Sequence, residues 1–158
     1  LPLPANLDFG ASYEFGKNNQ WMIGANFCYV FWSTYDSLVF NFQDTIIGRT
    51  ATPALYEDRL IVRLGAQYKI NKMITIRAGG YIDPSPVKSD YLNPQTPSVD
   101  EVGLTCGLSV YPFKGFSIDA AFLYLFGSKR DGTYSPDNFA GSYRTGFSIP
   151  GIGLSYSF

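Results

Sequence analysis

Strict alternation of apolar and polar or small residues dominates this chain, the pattern of a strand whose two faces meet different surroundings. Leu7, Phe9, Ala11, Tyr13 and Phe15 lie on one face of the first such segment, with Asn6, Asp8, Gly10, Ser12 and Glu14 on the other. Gly16-Lys17-Asn18-Asn19 reads as a short turn. The second segment puts Trp21, Ile23, Ala25, Phe27, Tyr29 and Phe31 on its apolar face. It is expected to run on to Phe42 with a phase change near Trp32-Ser33, before a long connection over 43–55. The third sets Leu60, Val62, Leu64, Ala66, Tyr68 and Ile70 against Arg59, Arg63, Gly65, Gln67 and Lys69, with Ile61 out of pattern. Asn71-Lys72 is a two-residue hairpin signal. The fourth sets Ile74, Ile76, Ala78 and Gly80 against Thr75, Arg77, Gly79 and Tyr81, and a Pro-rich loop covers 83–100. Val102 to Val110 and Phe116 to Phe126 repeat the pattern around a turn at 112–115. After a polar loop over 127–141, the last segment slips phase at Pro150-Gly151, which reads as a bulge because Pro cannot donate to a ladder. No helical periodicity is present.

A soluble sandwich alternates too, so other features decide what the apolar face meets. Of the 158 residues, 17% are aromatic and only 16% charged, against about 25% charged in an ordinary globular chain. The rings cluster at strand ends: Tyr13, Phe15, Trp21, Tyr68, Phe116, Tyr124, Phe126, Tyr156 and Phe158. Rings that are apolar at one end and polar at the other collect at the margins of lipid. The opposite face is small or polar, the reverse of what a two-sheet core needs. Connections alternate short and long, as the two ends of an outer-membrane barrel do. The expectation is an all-β, antiparallel transmembrane β-barrel in the bacterial outer membrane, its partner the membrane lipid. A soluble lectin-like β-sandwich would instead bury Phe158 in a core.

Seven crossings are counted. Single-chain bacterial barrels have even numbers, and an open sheet edge in hydrocarbon costs several kcal/mol per unsatisfied group. Residues 1–158 are therefore expected to be a partial barrel domain, one part of a longer wall. The first residues, Leu1-Pro2-Leu3-Pro4, do not have the form of a signal peptide, so a processed or cut chain is expected. The alternative is a small eight-stranded structural or adhesive barrel, which needs a further crossing made by splitting 142–158.

Three segments resemble one family. Tyr56-Glu57-Asp58 followed by Arg63-Leu64-Gly65-Ala66-Gln67-Tyr68 resembles its "W-x-D…R-L-G-x-E-Y" strand. Ile76-Arg77-Ala78-Gly79-Gly80-Tyr81-Ile82-Asp83-Pro84-Ser85-Pro86-Val87 resembles its "L-R-A-G-Y-x-Y-D-x-S-P-V". Leu3-Pro4 with Phe9-Gly10-Ala11-Ser12-Tyr13, then Trp32-Ser33, resembles "L-P…L-G-x-x-Y" and "W-S". These are similar to the FadL/TodX family of outer-membrane transporters. Tyr56 and Gln67 depart from the family's Trp and Glu. The resemblance implies passive transport of hydrophobic molecules, long-chain fatty acids foremost. It also implies the C-terminal half of a fourteen-stranded barrel, with the N-terminal strands and plug absent from these residues.

The candidate chemistry lies on the inward face. By parity Arg63, Arg77, Asp119, Asp8 and Glu14 share it. An Arg there can hold a carboxylate by a charge-assisted hydrogen bond, or pair with the acids in a network that fixes strand register. Tyr91 and Leu92 in the Pro-rich loop are a candidate hydrophobic capture point, or ordinary loop residues. Ile152, Leu154, Tyr156 and Phe158 alternate up to a terminal ring, resembling the signal that barrels present to the outer-membrane insertion machinery. Asp131, Asp137 and Asn138 lack the spacing of a calcium loop. With no His and no nucleophile–base pair, no catalysis, metal or cofactor is expected. Net charge −1 without a basic cluster argues against nucleic acid. Cys28 and Cys106 read as unpaired small hydrophobes.

Overall fold

The computed structural model describes residues 3–34, 37–41, 49–53, 55–92, 97–135 and 138–158. Seven long strands make one antiparallel sheet: β1 (Asn6–Phe15), β2 (Trp21–Val30), β5 (Arg59–Lys69), β6 (Ile74–Asp83), β7 (Glu101–Val110), β8 (Phe116–Gly127) and β11 (Gly146–Tyr156). They neighbour one another in that order, so each long strand pairs with the next along the chain. Two short hairpins, β3 (Ser37–Asn41) with β4 (Arg49–Pro53) and β9 (Arg130–Tyr134) with β10 (Phe139–Tyr143), lie outside the sheet. Both hairpins, and the segment between β6 and β7, occupy the same end of the sheet, the outer end below.

Ten-residue strands such as β1 and β6 reach about 34 Å extended, enough to cross a tilted apolar band about 25 Å tall. The registers carry the two faces unbroken from edge to edge. Phe9 opposes Phe27, Phe27 opposes Val62, and Val62 opposes Ile82 on the apolar face. That face is open: Phe9, Leu64 and Ile152 are 69%, 61% and 86% exposed. Rings ladder along its margins, with Trp21 and Tyr68 4.3 Å apart at the short-turn end and Tyr124 and Phe126 4.3 Å apart at the outer end. Phe158 is fully exposed, not in a core.

The tight turns need backbone that only certain residues adopt. Gly16 (φ 85) and Gly115 (φ 84) sit in the left-handed region that glycine enters without a Cβ clash. Asn18 (φ 59) and Asn19 (φ 51) follow Gly16 in its turn, the residue type that tolerates this conformation best after Gly.

Three expectations are corrected. The second strand ends at Val30, and a 3-10 turn, Trp32–Thr34, leads to the hairpin β3–β4 instead of a continuation to Phe42. The stretch expected as a polar loop over 127–141 instead carries β9 and most of β10, which runs on to Tyr143. No bulge occurs at Pro150: β11 pairs with β8 without interruption, Pro150 opposite Phe122 and Gly151 opposite Ala121. The reason is the hydrogen-bond phase. The Gly127 amide donates to the Thr145 carbonyl and the Ser157 amide to Gly115, each at 2.7 Å. Odd-numbered residues of β11 therefore face β8 with their N–H, and the nitrogen of Pro150 points away from it. Phe42 and, of the 43–55 connection, residues 43–48 and 54 lie outside the described residues.

The sheet is not closed. β1 and β11 are its two edges and do not pair with each other. Residues 142–158 supply one crossing, not two, so among the described residues the closed eight-stranded form lacks its eighth strand. The two cysteines are free: Cys28 is buried on the inner face and Cys106 exposed on the outer.

On the inner face the Tyr81 ring lies across Gly103, where an added Cβ would overlap it. Gly103→Ala should destabilise the sheet by about 1–3 kcal/mol through overpacking. Urea unfolding in lipid measures this, and Tyr81→Ala in the same chain should remove most of the loss.

Candidate functional site

The inner wall carries the ionisable side chains singled out by sequence, and the registers sort them into separate networks. Asp8 belongs to the first. Its carboxylate accepts from Asn6 at 2.9 Å, from the Cys28 thiol at 3.4 Å and from Asn26 at 3.5 Å. Arg63 donates to the Asn26 carbonyl at 2.8 Å and completes this chain. In the second, Arg77 donates through Nε to Gln67 at 2.8 Å and through Nη1 to Ser109 at 2.5 Å. The Ser109 hydroxyl donates on to Asp119, which also accepts from Ser117 at 3.0 Å. Ser109 is wholly buried under this chain. Glu14 stands apart, 4.0 Å from Lys69 near the short-turn end.

The two arginines therefore differ. Arg77 is committed to a relay of Gln67, Ser109, Asp119 and Ser117 that crosses β5 to β8. Arg63 is exposed and makes one hydrogen bond among the described residues. A guanidinium carries five donors, so Arg63 keeps donors for an incoming anion. Between the networks the wall is small: Ser12, Gly24, Gly65, Gly79 and Thr105 form one transverse row.

Sequence reasoning missed the outer rim. Arg130, at the start of β9, reaches back to hold the segment after β6. It donates to the Ser85 hydroxyl at 2.6 Å, the Ser98 carbonyl at 3.3 Å, the Ser89 hydroxyl at 3.4 Å and the Val87 carbonyl. Arg59 donates to the Ser85 carbonyl at 2.7 Å and pairs with Glu57 at 2.6 Å. The Glu57 amide donates to Pro86, at 2.8 Å. Ser85, Val87 and Val99 are buried at this latch. The Ser-Pro-Val run that carried the resemblance is thus a structural anchor, and its flanking arginines could be found only from long-range contacts. Leu92 is wholly buried, and an added Cβ at Gly132 would press on its side chain. Leu92 is a core residue of the loop cluster, not an open capture point. Tyr91 bridges Tyr134, and the rest of that loop, 93–96, lies outside the described residues, as does Asp137.

A second tie holds the 3-10 turn after β2. The Asp58 carboxylate accepts from the Ser33 amide at 2.8 Å and from the Tyr29 hydroxyl at 3.1 Å. The Ser33 hydrogen bonds hold its carboxyl below the usual aspartate range, with the Tyr29 bond adding to them.

An apolar belt outside, a polar wall inside, aromatic margins and long loops at one end define a transmembrane β-barrel wall of the outer-membrane type. The family model described as outer membrane protein transport protein (OMPP1/FadL/TodX) matches residues 1–157, and the chain belongs to that family, which places it in the outer membrane. It is 23% identical over 160 residues to a 47 kDa outer membrane protein of Pasteurella multocida (strain Pm70), covering 100% of this chain and 36% of that protein. Its fold is similar to the crystal structure of a Pseudomonas aeruginosa FadL homologue, with a TM-score of 0.69 and 20% identity, covering 96% of this chain and 34% of that one. The chain thus spans about a third of the length of the proteins it matches.

Arg130→Gln should free the segment after β6. Losing its charged hydrogen bonds, roughly 2 kcal/mol, should speed protease cleavage within 83–92 about thirtyfold. Asp58 gives a pH test. Because its carboxyl is held low, the tie to Ser33 stays whole at neutral pH and is lost only as pH falls through that lowered value. Amide exchange at Ser33, corrected for intrinsic rates, should rise in acid in the native chain. Asp58→Asn should show raised exchange at neutral pH and no acid step.

Proposed function

We propose that these residues form part of a closed barrel that passes hydrophobic molecules, long-chain fatty acids foremost, across the outer membrane by diffusion. The observation that carries this reading is the inside-out wall: apolar to lipid, and lined inside by glycines, hydroxyls and two arginines in separate networks. Such a wall leaves room for a ligand and offers charge for a carboxylate. No cofactor or energy source enters the scheme. Family membership supports transport in general; the fatty-acid assignment follows the resemblance, and the open donors of Arg63 are consistent with it.

The two open edges support a larger barrel. β1 and β11 run in the same direction, because an odd number of antiparallel strands separates one edge from the other. Antiparallel pairing at both seams then requires an odd number of further strands. Seven more would give the fourteen of the family, with residues 1–158 as the C-terminal half and the plug elsewhere. Ile152, Leu154 and Tyr156, on the lipid face of β11, with Phe158 beyond it, would act as the signal read by the insertion machinery.

Uptake tests the function. The full-length protein, in cells lacking their own fatty-acid transporter, should take up labelled long-chain fatty acid above the empty-vector level. Arg77→Gln should lower the stability of the barrel by breaking the relay to Asp119, whereas Arg63→Gln, which loses a single hydrogen bond, should lower stability less and reduce uptake. Uptake equal to the empty vector would end the transport reading. Phe158→Ser should reduce the fraction of protein assembled in the membrane several-fold, measured by heat-modifiable gel mobility.

A further inference from the structure

The in-register passage of Pro150 inverts the faces in the outer half of β11. Gly146, Ser148 and Pro150 share the lipid side with Phe126, Tyr124 and Phe122, and Phe147 and Ile149 turn inward. There Phe147 opposes Leu125, and Ile149 opposes Leu123. Four large apolar side chains thus meet on a face whose other large aliphatic residues, Met22, Val30 and Ile61, lie away from them on β2 and β5. Leu125 is only 2% exposed and forms the floor, while Phe147 and Ile149 stand 43% and 52% open.

This patch is joined to Arg63 by one transverse row. Arg63 opposes Tyr81, Tyr81 opposes Gly103, Gly103 opposes Leu125, and Leu125 opposes Phe147. The Tyr81 ring covers Gly103, so the row runs from a cation over an aromatic ring to an aliphatic and aromatic end, with the carboxylates of Asp83 and Glu101 beside it toward the outer end. Four strand spacings separate its ends, about 19 Å.

We propose that this row binds an amphiphilic carboxylate lying across the strands, its head on Arg63 and its tail on Phe147 and Ile149. The inference rests on the transport reading and adds to it the site and the pose. Charge complementarity selects the occupant. A neutral hydrocarbon would leave the open donors of Arg63 unused, and a polar solute would gain nothing from four apolar side chains. Arg63 sets preference for the acid, and the patch sets preference for a tail long enough to reach it.

Tryptophan quenching locates the tail. Full-length protein carrying Ile149→Trp, in lipid nanodiscs, is titrated with a fatty acid brominated near its methyl end and with the matching brominated alcohol. The acid should quench saturably and at lower concentration than the alcohol. Adding Arg63→Gln should raise the half-quenching concentration of the acid about tenfold, the loss of one charged hydrogen bond, and leave the alcohol unchanged. Arg63→Lys should keep most of the preference for the acid, which separates charge recognition from a folding defect. An acid preference that survives Arg63→Gln overturns the proposal, as does absence of saturable quenching. Uptake by the native protein is measured in parallel. Uptake without quenching discards this site and leaves the transport reading standing. Absence of uptake discards that reading on its own evidence.

Discussion

Everything in this chain follows from one constraint: a backbone that crosses hydrocarbon must satisfy its N–H and C=O groups within the protein. Among the described residues no helix is long and apolar enough to cross a membrane, and the crossings are made by strands. A strand can meet the constraint only through its neighbours on both sides. Five of the seven long strands do so here, and the two at the edges do not. The same constraint explains why the side chains are free to be inside-out. With backbone pairing fixing the sheet, the lipid face needs only apolar contact and the inner face only water or a ligand.

The inner face shows how a wall can be polar and still rigid. Four of its charged groups are engaged side by side across strands: Asp8 with Asn26 and Arg63, and Arg77 with Ser109 and Asp119. Each link joins neighbouring strands, so the networks bind the sheet across its width. Glycines serve the same wall differently. They let strands carry bulky neighbours such as Tyr81 flat against the surface, which keeps the interior open.

Most of the sheet was legible because a period of two is hard to mistake when one face is all rings and aliphatics. All seven crossings and the shared face of Arg63, Arg77, Asp119, Asp8 and Glu14 could be read from alternation, and the three tight turns from their glycine, asparagine and proline residues. Where reading failed, the cause was contact distant in sequence. Nothing local says that Arg130 holds Ser85, 45 residues away, or that Leu92 is covered by β9. The short hairpins of the outer end were missed for a related reason. Segments such as Ser37–Asn41 and Arg130–Tyr134 are five residues long, too short for alternation to stand out from polar loop composition.

The error at Pro150 is the most instructive. A proline amid alternation suggests a bulge when only the missing donor is considered. Whether the donor is needed depends on which way that N–H would point, which sequence does not show. Here it points to the free edge of β11, so the strand can continue in phase. Continuing in phase has a consequence that a bulge would have hidden. A bulge would have turned Phe147 and Ile149 to lipid, restoring the ordinary pattern. Without one they face the interior beside Leu123 and Leu125, and the smallest lipid-facing residues of the strand lie opposite large rings of β8. A single hydrogen-bond phase thus decides whether the outer half of the last strand is another stretch of lipid belt or an apolar surface turned toward the lumen.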